Sequence, residues 1–282
     1  MIPVNDKWQC RDRVLDLAAP VVMGVLNVTP DSFSDGGKFG TPAAALSQAR
    51  RMVAEGAAII DVGGESTRPG ANPATLAEEL DRVTPVIEAL RRESPVFISI
   101  DTSKPEVMRA AVAAGADIIN DVRALAEPGA LDAAAVSGAG ICLMHMQGEP
   151  RTMQDSPRYE NVVEEVSAFL AARMRACRDA GVDAARLAID PGFGFGKLAV
   201  HNLALLRHLA SLDALGAPIV VGLSRKSMLA KLTGRKVEDR LAGSVALAAI
   251  AVLNGARIVR AHDVAATVDA VRVAAAVLKG EA

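Results

Sequence analysis

Aromatic side chains are scarce: the 282-residue chain has six Phe, one Tyr and one Trp. A surface that stacks unpaired bases needs rings, so this scarcity argues against one. An excess of one charge is also lacking. The formal net charge is −2, which leaves no basic surplus to hold a polyanion. Cysteine is limited to Cys10, Cys142 and Cys177. Three widely spaced thiols make neither a metal nor a redox pattern, and they are expected to stay free in a reducing, cytoplasmic compartment. No apolar run reaches the roughly 20 residues that cross a bilayer, and the opening MIPVNDKWQC lacks a signal-peptide core. Neither nucleic acid nor membrane is therefore expected as a partner.

What is abundant is apolar material, 51% of the residues, enough for a large core. It falls into a repeated plan. Short apolar runs without polar alternation, suited to strands buried on both faces, are predicted at 21–28, 57–62, 96–100, 117–119, 140–144, 186–189, 218–221 and 256–259. Helical patterns separate them, at 42–55 (with Thr41 as N-cap), 76–92, 104–114, 131–136, 161–180, 202–212, 227–232, 237–253 and 264–278. Strict alternation implies parallel strands, because each crossover needs a helix. Eight such units predict a single-domain α/β protein, a (β/α)8 TIM barrel, and the length fits a barrel of about 250 residues. An open doubly wound sheet is the alternative. Residues 1–18 read as a polar N-terminal segment and 19–282 as the barrel domain.

In a (β/α)8 barrel the carboxyl ends of the strands meet on the face that carries the site. The residues there are Asn27, Gly63 with Glu65, Thr67 and Arg68, then Asp101, Asn120, His145, Asp190, Gly222 with Ser224, Arg225 and Lys226, and finally Arg260 and His262. Asp101, Asn120 and Asp190 form an acceptor-rich group suited to the donor edge of a flat heterocycle. Asn27, Arg68, Arg260 and His262 are expected on the opposite wall and suit a phosphate or diphosphate. Asn27 also offers an oxygen to a Mg²⁺ that keeps most of its water. His145 carries no diagnostic context. The GFGFGK run lacks the spacing of a nucleotide-binding loop.

Seven motifs then occur in order: NVTPDSFSDGG, GGESTRPG, Asp101–Thr102, Asn120–Asp121, DPGFGFGK at 190–197, GLSRKS, and Arg260–Ala261–His262. Together they resemble the bacterial dihydropteroate synthases, the sulfonamide-blocked step of folate synthesis, from about Pro20 to Leu278. The resemblance implies condensation of (7,8-dihydropterin-6-yl)methyl diphosphate with 4-aminobenzoate, using Mg²⁺, by a homodimer. It implies that Asp101, Asn120, Met144, Asp190, Phe195, Gly222 and Lys226 hold the pterin. Asn27, Thr67, Arg68, Arg260 and His262 would take the diphosphate, with Asn27 on the metal. Phe33, Thr67, Pro69, Lys226 and Ser227 would shape the aminobenzoate pocket. Asp101, Asp190, Lys226, Arg260 and His262 would be catalytic, and the loops at 29–37 and 64–70 would close over the site. A pterin-dependent methyltransferase, a pterin-binding paralogue without turnover and a sugar-phosphate barrel are the rival readings.

Overall fold

The computed structural model describes residues 6–29, 42–65, 73–149 and 152–280. An antiparallel hairpin, β1 (Lys7–Cys10) and β2 (Arg13–Asp16), precedes the alternating units. The units are β3 (Val21–Asn27) with α1 (Pro42–Ala54), β4 (Ile59–Gly63) with α2 (Leu76–Glu93), β5 (Phe97–Asp101) with α3 (Pro105–Ala114), and β6 (Ile118–Asp121) with α4 (Ala130–Ser137). They continue with β7 (Gly140–Met144) and α5 (Val162–Asp179), β8 (Leu187–Asp190) and α6 (Ala199–Arg207), β9 (Val220–Gly222) with α7 (Ser227–Thr233) and α8 (Leu241–Leu253), and β10 (Ile258–Ala261) with α9 (Val264–Lys279). Eight parallel strands pair in the order β8-β7-β6-β5-β4-β3-β10-β9. A parallel bridge from Ile189 to Ile219, with Ile189 N–H donating to Pro218 O at 3.0 Å, joins the two ends into a ring. This is the predicted (β/α)8 barrel.

Six of the eight strands end one or two residues nearer the mouth than their apolar runs, whereas β7 ends where predicted and β3 one residue short. Parallel pairing continues through the polar ends, so that Asn27 pairs Gly63, Gly63 pairs Asp101, and Asp101 pairs Asn120. Two of the predicted helices also divide. The pattern at 202–212 becomes α6 followed by a 3-10 segment, Leu209–Leu215, and that at 237–253 becomes a 3-10 turn, Val237–Asp239, before α8. Helix starts carry local signals: Thr75 and Glu78 form a capping box on α2, and the Asn161 side chain accepts from the first turn of α5. Thr41, the predicted cap of α1, lies outside the described residues.

The barrel interior is layered by the two-residue period of strand side chains. Near the amino ends, Met23, Ile59, Ile118, Cys142, Ala188, Val220 and Ile258 form one apolar cluster. One period further on, Ile59 gives way to Asp61, Ile118 to Asn120, Ala188 to Asp190, Val220 to Gly222 and Ile258 to Arg260. In β4, β6, β8 and β10 the change from apolar to polar or charged thus happens across a single step of the strand, whereas β3 and β7 stay apolar with Val25 and Met144.

The first segment corrects the reading of 1–18 as polar. In the described part, Trp8, Cys10, Leu15 and Leu17 join the lower apolar cluster and close the amino-terminal end of the barrel. Strand β1 alternates buried Trp8 and Cys10 with outward Lys7 and Gln9, whereas β2 buries Leu15 but exposes Val14, a pattern too short and too mixed to stand out from its charged neighbours. Trp8 Nε1 donates to Arg186 O at 2.8 Å. Gly140 makes room for the hairpin, because a Cβ there would stand 2.6 Å from Cys10 Sγ and 3.1 Å from the Trp8 ring. All three cysteines are buried free thiols, and no helix of the described residues is long and apolar enough to cross a membrane. Trp8→Ala should destabilise the protein by about 3–5 kcal/mol, the usual cost of emptying a buried aromatic site. A urea midpoint within experimental error of wild type would show that the hairpin does not seal the barrel.

Candidate active site

The polar layer is centred on Arg260, which β10 points into the barrel. Its Nε donates to Asp61 Oδ2 at 2.6 Å and its Nη2 to Asp101 Oδ2 at 2.7 Å. Asp61 is fully buried on β4, and Asn120 Nδ2 donates to the same Oδ2 at 3.1 Å. That bond assigns the Asn120 amide, so its Oδ1 is the atom presented as an acceptor. Asp61 Oδ1 has no hydrogen-bond partner. Burial pushes the Asp101 carboxyl up to about 7; Arg260 opposes the shift and Asp61 adds to it. Burial also works against charge on Arg260, yet the two carboxylates raise its pKa above the ordinary guanidinium value. A buried arginine between two carboxylates keeps its charge, and one of the carboxylates bears the cost.

Across the mouth, Asp190 ends β8. Its Oδ1 accepts the Gly192 N–H at 2.7 Å, and burial raises its pKa. Lys226, just before α7, lays its ammonium 4.1 Å from the Phe195 ring centroid. Burial, then repulsion from Arg260, brings Lys226 down to about 8. Phe195 packs with Val122, Met144 and Met153 in a separate apolar cluster, with Met146 against it. This slab, which includes the predicted Met144 and Phe195, forms an apolar wall beside the polar layer. A Cβ on Gly222 would meet nothing within 4 Å, so this position opens onto free space above the polar layer.

The third group lies near β3 and β10. Asn27 Oδ1 and Asp101 Oδ2 would both stand within 4 Å of a Cβ on Gly63, so the missing side chain keeps the gap between them open. His262 Nδ1 lies 3.1 Å from Ser224 Oγ, and its backbone N–H donates to the same oxygen at 3.3 Å. A hydroxyl can accept the backbone N–H while donating its own hydrogen to Nδ1, and in that tautomer the ring proton is on Nε2. Burial, then Arg260 and Arg225, pushes His262 down to about 3, so it is a neutral donor at physiological pH. Ser227 is exposed at the start of α7.

The predicted division into two walls does not hold for Arg260. Its side chain joins the carboxylate group, because the register sets it beside Asp61 and Asp101. Phe33, Thr67, Arg68 and Pro69 lie outside the described residues. The flanks of 66–72 are tied together: Glu65 accepts the Ala74 N–H at 3.2 Å, and Lys104 pairs with both Glu65 and the buried Glu79. His145 turns from the mouth and packs edge-on to Phe169, with ring centroids 4.9 Å apart. Reading only strand ends missed Asp61, which sits two residues before the end of β4. A lone carboxylate in the apolar run IIDVG, in phase with inward positions, was the available signal.

The pterin binding enzyme family model matches residues 23–262. Dihydropteroate synthase of Escherichia coli K12 is 52% identical over 267 residues, 95% of each chain. The structure of Xanthomonas albilineans dihydropteroate synthase with 4-aminobenzoic acid superposes with a TM-score of 0.92 at 53% identity, covering 97% of this chain and 98% of that one. Burkholderia cenocepacia dihydropteroate synthase complexed with 7,8-dihydropteroate gives 0.89 at 51% identity, over 99% and 98% of the two chains. A model that spans most of the barrel, relatives that match it from end to end, and a polar layer set at the mouth of that barrel agree on one conclusion: this chain belongs to the pterin-binding enzymes and, among them, to the dihydropteroate synthases.

Proposed function

We propose that the polar layer is where this synthase holds a dihydropterin while its methylene passes from diphosphate to the amine of 4-aminobenzoate. The observation that carries the assignment is the Asp61–Arg260–Asp101 triad with Asn120 oriented beside it. Asn120 Oδ1, Asp101 and Asp190 offer acceptors to the N–H edge of an amino-pyrimidinone. Lys226 offers a donor, and the apolar wall of Met144 and Phe195 suits the faces of a flat ring. Gly222 leaves room for it.

The carbon–oxygen bond to diphosphate breaks with its electron pair leaving on oxygen, and positive charge develops on the methylene carbon. Asp101 and Asp190, held in a low-dielectric pocket, stabilise that charge without reorganising. His262 Nε2–H and Arg260 stabilise the charge on the departing diphosphate. The amine nitrogen then bonds to carbon and loses a proton. Thr67 and Arg68 are assigned to the diphosphate, and Phe33, Thr67 and Pro69, with Lys226 and Ser227, to the aminobenzoate pocket, on the family motifs. Mg²⁺ fits the donor set as a cation held mainly by the substrate. Asn27 supplies one neutral oxygen, which suits an ion that keeps its water and takes phosphate oxygens. Bound there, it would neutralise the leaving group. Exposed Leu241, Ile250, Leu253, Val273 and Val277 on α8 and α9 support assembly as a homodimer. Free thiols support a cytoplasmic setting.

The direct test supplies (7,8-dihydropterin-6-yl)methyl diphosphate and Mg²⁺, with and without 4-aminobenzoate, and follows diphosphate. Release that depends on 4-aminobenzoate and yields dihydropteroate is expected; pterin binding by calorimetry without release would point to a non-catalytic pterin receptor. The triad makes a second prediction. The acidic limb of kcat/KM should lie near pH 7 in wild type, because Asp101 must lose its proton to act. Asp61→Asn removes a neighbour that raises Asp101 and frees Arg260 for it, so the limb should move to lower pH. A limb that stays in place in this variant would remove Asp101 from the reaction.

A further inference from the structure

Lys197 ends the glycine-rich loop after β8, and the reaction above makes no use of it. It is only 2% exposed. Burying an ammonium is costly unless its donors are met. Nζ donates to the carbonyls of Gly192 and Phe195 at 3.0 Å each and of His145 at 3.3 Å, and it lies 2.8 Å from His145 Nδ1. An ammonium has no acceptor to offer, so Nδ1 receives the bond and the His145 ring proton sits on Nε2. Burial, then the charge of Lys197, pushes His145 down to about 3, so the ring is a neutral acceptor. Burial brings Lys197 itself down to about 7, with Asp190 opposing the shift and Lys226 adding to it, and the three carbonyl acceptors around Nζ favour its charged form.

The backbone around this ammonium is unusually close. Gly192 and Gly196 have φ of +70° and +60°, and a Cβ on either would collide with the carbonyl oxygen of His145 or Gln147. The loop is thus pressed against the residues that follow β7, with three carbonyls converging on one point. Converging carbonyl dipoles repel, and the lysine side chain supplies the positive charge that lets them meet. The same loop begins with Asp190, whose Oδ1 is held by Gly192 N–H, and carries Phe195 under Lys226.

We infer that Lys197 and His145 form a positioning pair, which clamps the 190–197 loop to the end of β7 in the shape that sets Asp190 and Phe195 for the pterin. The role rests on the proposed assignment of those two residues to the pterin. It predicts a split that a lysine serving the fold alone would not produce. Lys197→Met should raise KM for the pterin diphosphate roughly tenfold, on the scale of one lost hydrogen bond to a charged group. KM for 4-aminobenzoate at saturating pterin should change by less than about twofold. His145 gives an independent pair of variants. His145→Asn keeps an acceptor near the place of Nδ1 and should stay close to wild type, whereas His145→Leu removes it and should behave like Lys197→Met. Asp190→Asn serves as the control for the parent assignment. A normal pterin KM in Asp190→Asn would overturn that assignment. A raised KM there, with His145→Leu matching His145→Asn or with both substrates affected equally, would overturn the positioning pair alone.

Discussion

The guanidinium of Arg260 between Asp61 and Asp101 is the constraint that the rest of the mouth accommodates. Two carboxylates placed this near each other inside a barrel would not both stay ionised without a cation, and the cation would not stay buried without them. Asp61, the deeper of the two, is fully enclosed and fixes both Arg260 and the Asn120 amide. Asp101, nearer the mouth, is left with a pKa close to neutrality. The deeper carboxylate orients its neighbours, and under the proposed function the outer one meets the substrate. Replacing such a network by packed hydrocarbon is often neutral or stabilising, so its presence is better explained by function than by stability.

The apolar layer one step below makes that arrangement possible. Parallel strands hold a fixed register, and the register places residues from six strands at one height without any loop having to position them. The hairpin of Trp8, Cys10, Leu15 and Leu17 then closes the end opposite the site. The barrel interior carries its charges at the mouth and hydrocarbon at the base, where the buried Asp117 is paired with Arg13 and Arg91, so desolvation at the mouth is offset by apolar burial at the base.

The order of strands and helices was legible because parallel strands buried on both faces read as unbroken apolar runs. The strand-end residues were legible because the barrel topology says where to look. Asp61 was not, since it lies within a run rather than at its end, and only the inward phase of β4 marks it. Arg260 was identified but placed on the wrong side: strand order gives the neighbours of a residue, whereas the reach of a long side chain depends on which carboxylates lie at its height. The N-terminal hairpin escaped because strands of four residues, flanked by Asp and Arg, give a weak alternation signal. His145 could not be resolved from its own neighbours, because its partner Lys197 stands 52 residues away in the next unit.

The two halves of the polar layer divide the work of recognition. Acceptors from β5, β6 and β8 select a ligand edge rich in N–H groups, and an analogue lacking those donors would leave buried carboxylate and amide oxygens unpaired, which costs far more than a lost contact. Lys226, on the Asp190 side, and His262, after β10, contribute donors, each held by a neighbour: Lys226 by the Phe195 face, His262 by the Ser224 hydroxyl. Burial keeps His262 neutral and lowers Lys226 to about 8, so among the described residues the most firmly held positive charge at the mouth is that of Arg260. That charge is already engaged by Asp61 and Asp101. Under the proposed function, a diphosphate entering the mouth would compete for the same guanidinium, so its binding and release would be electrically coupled to Asp61 and Asp101.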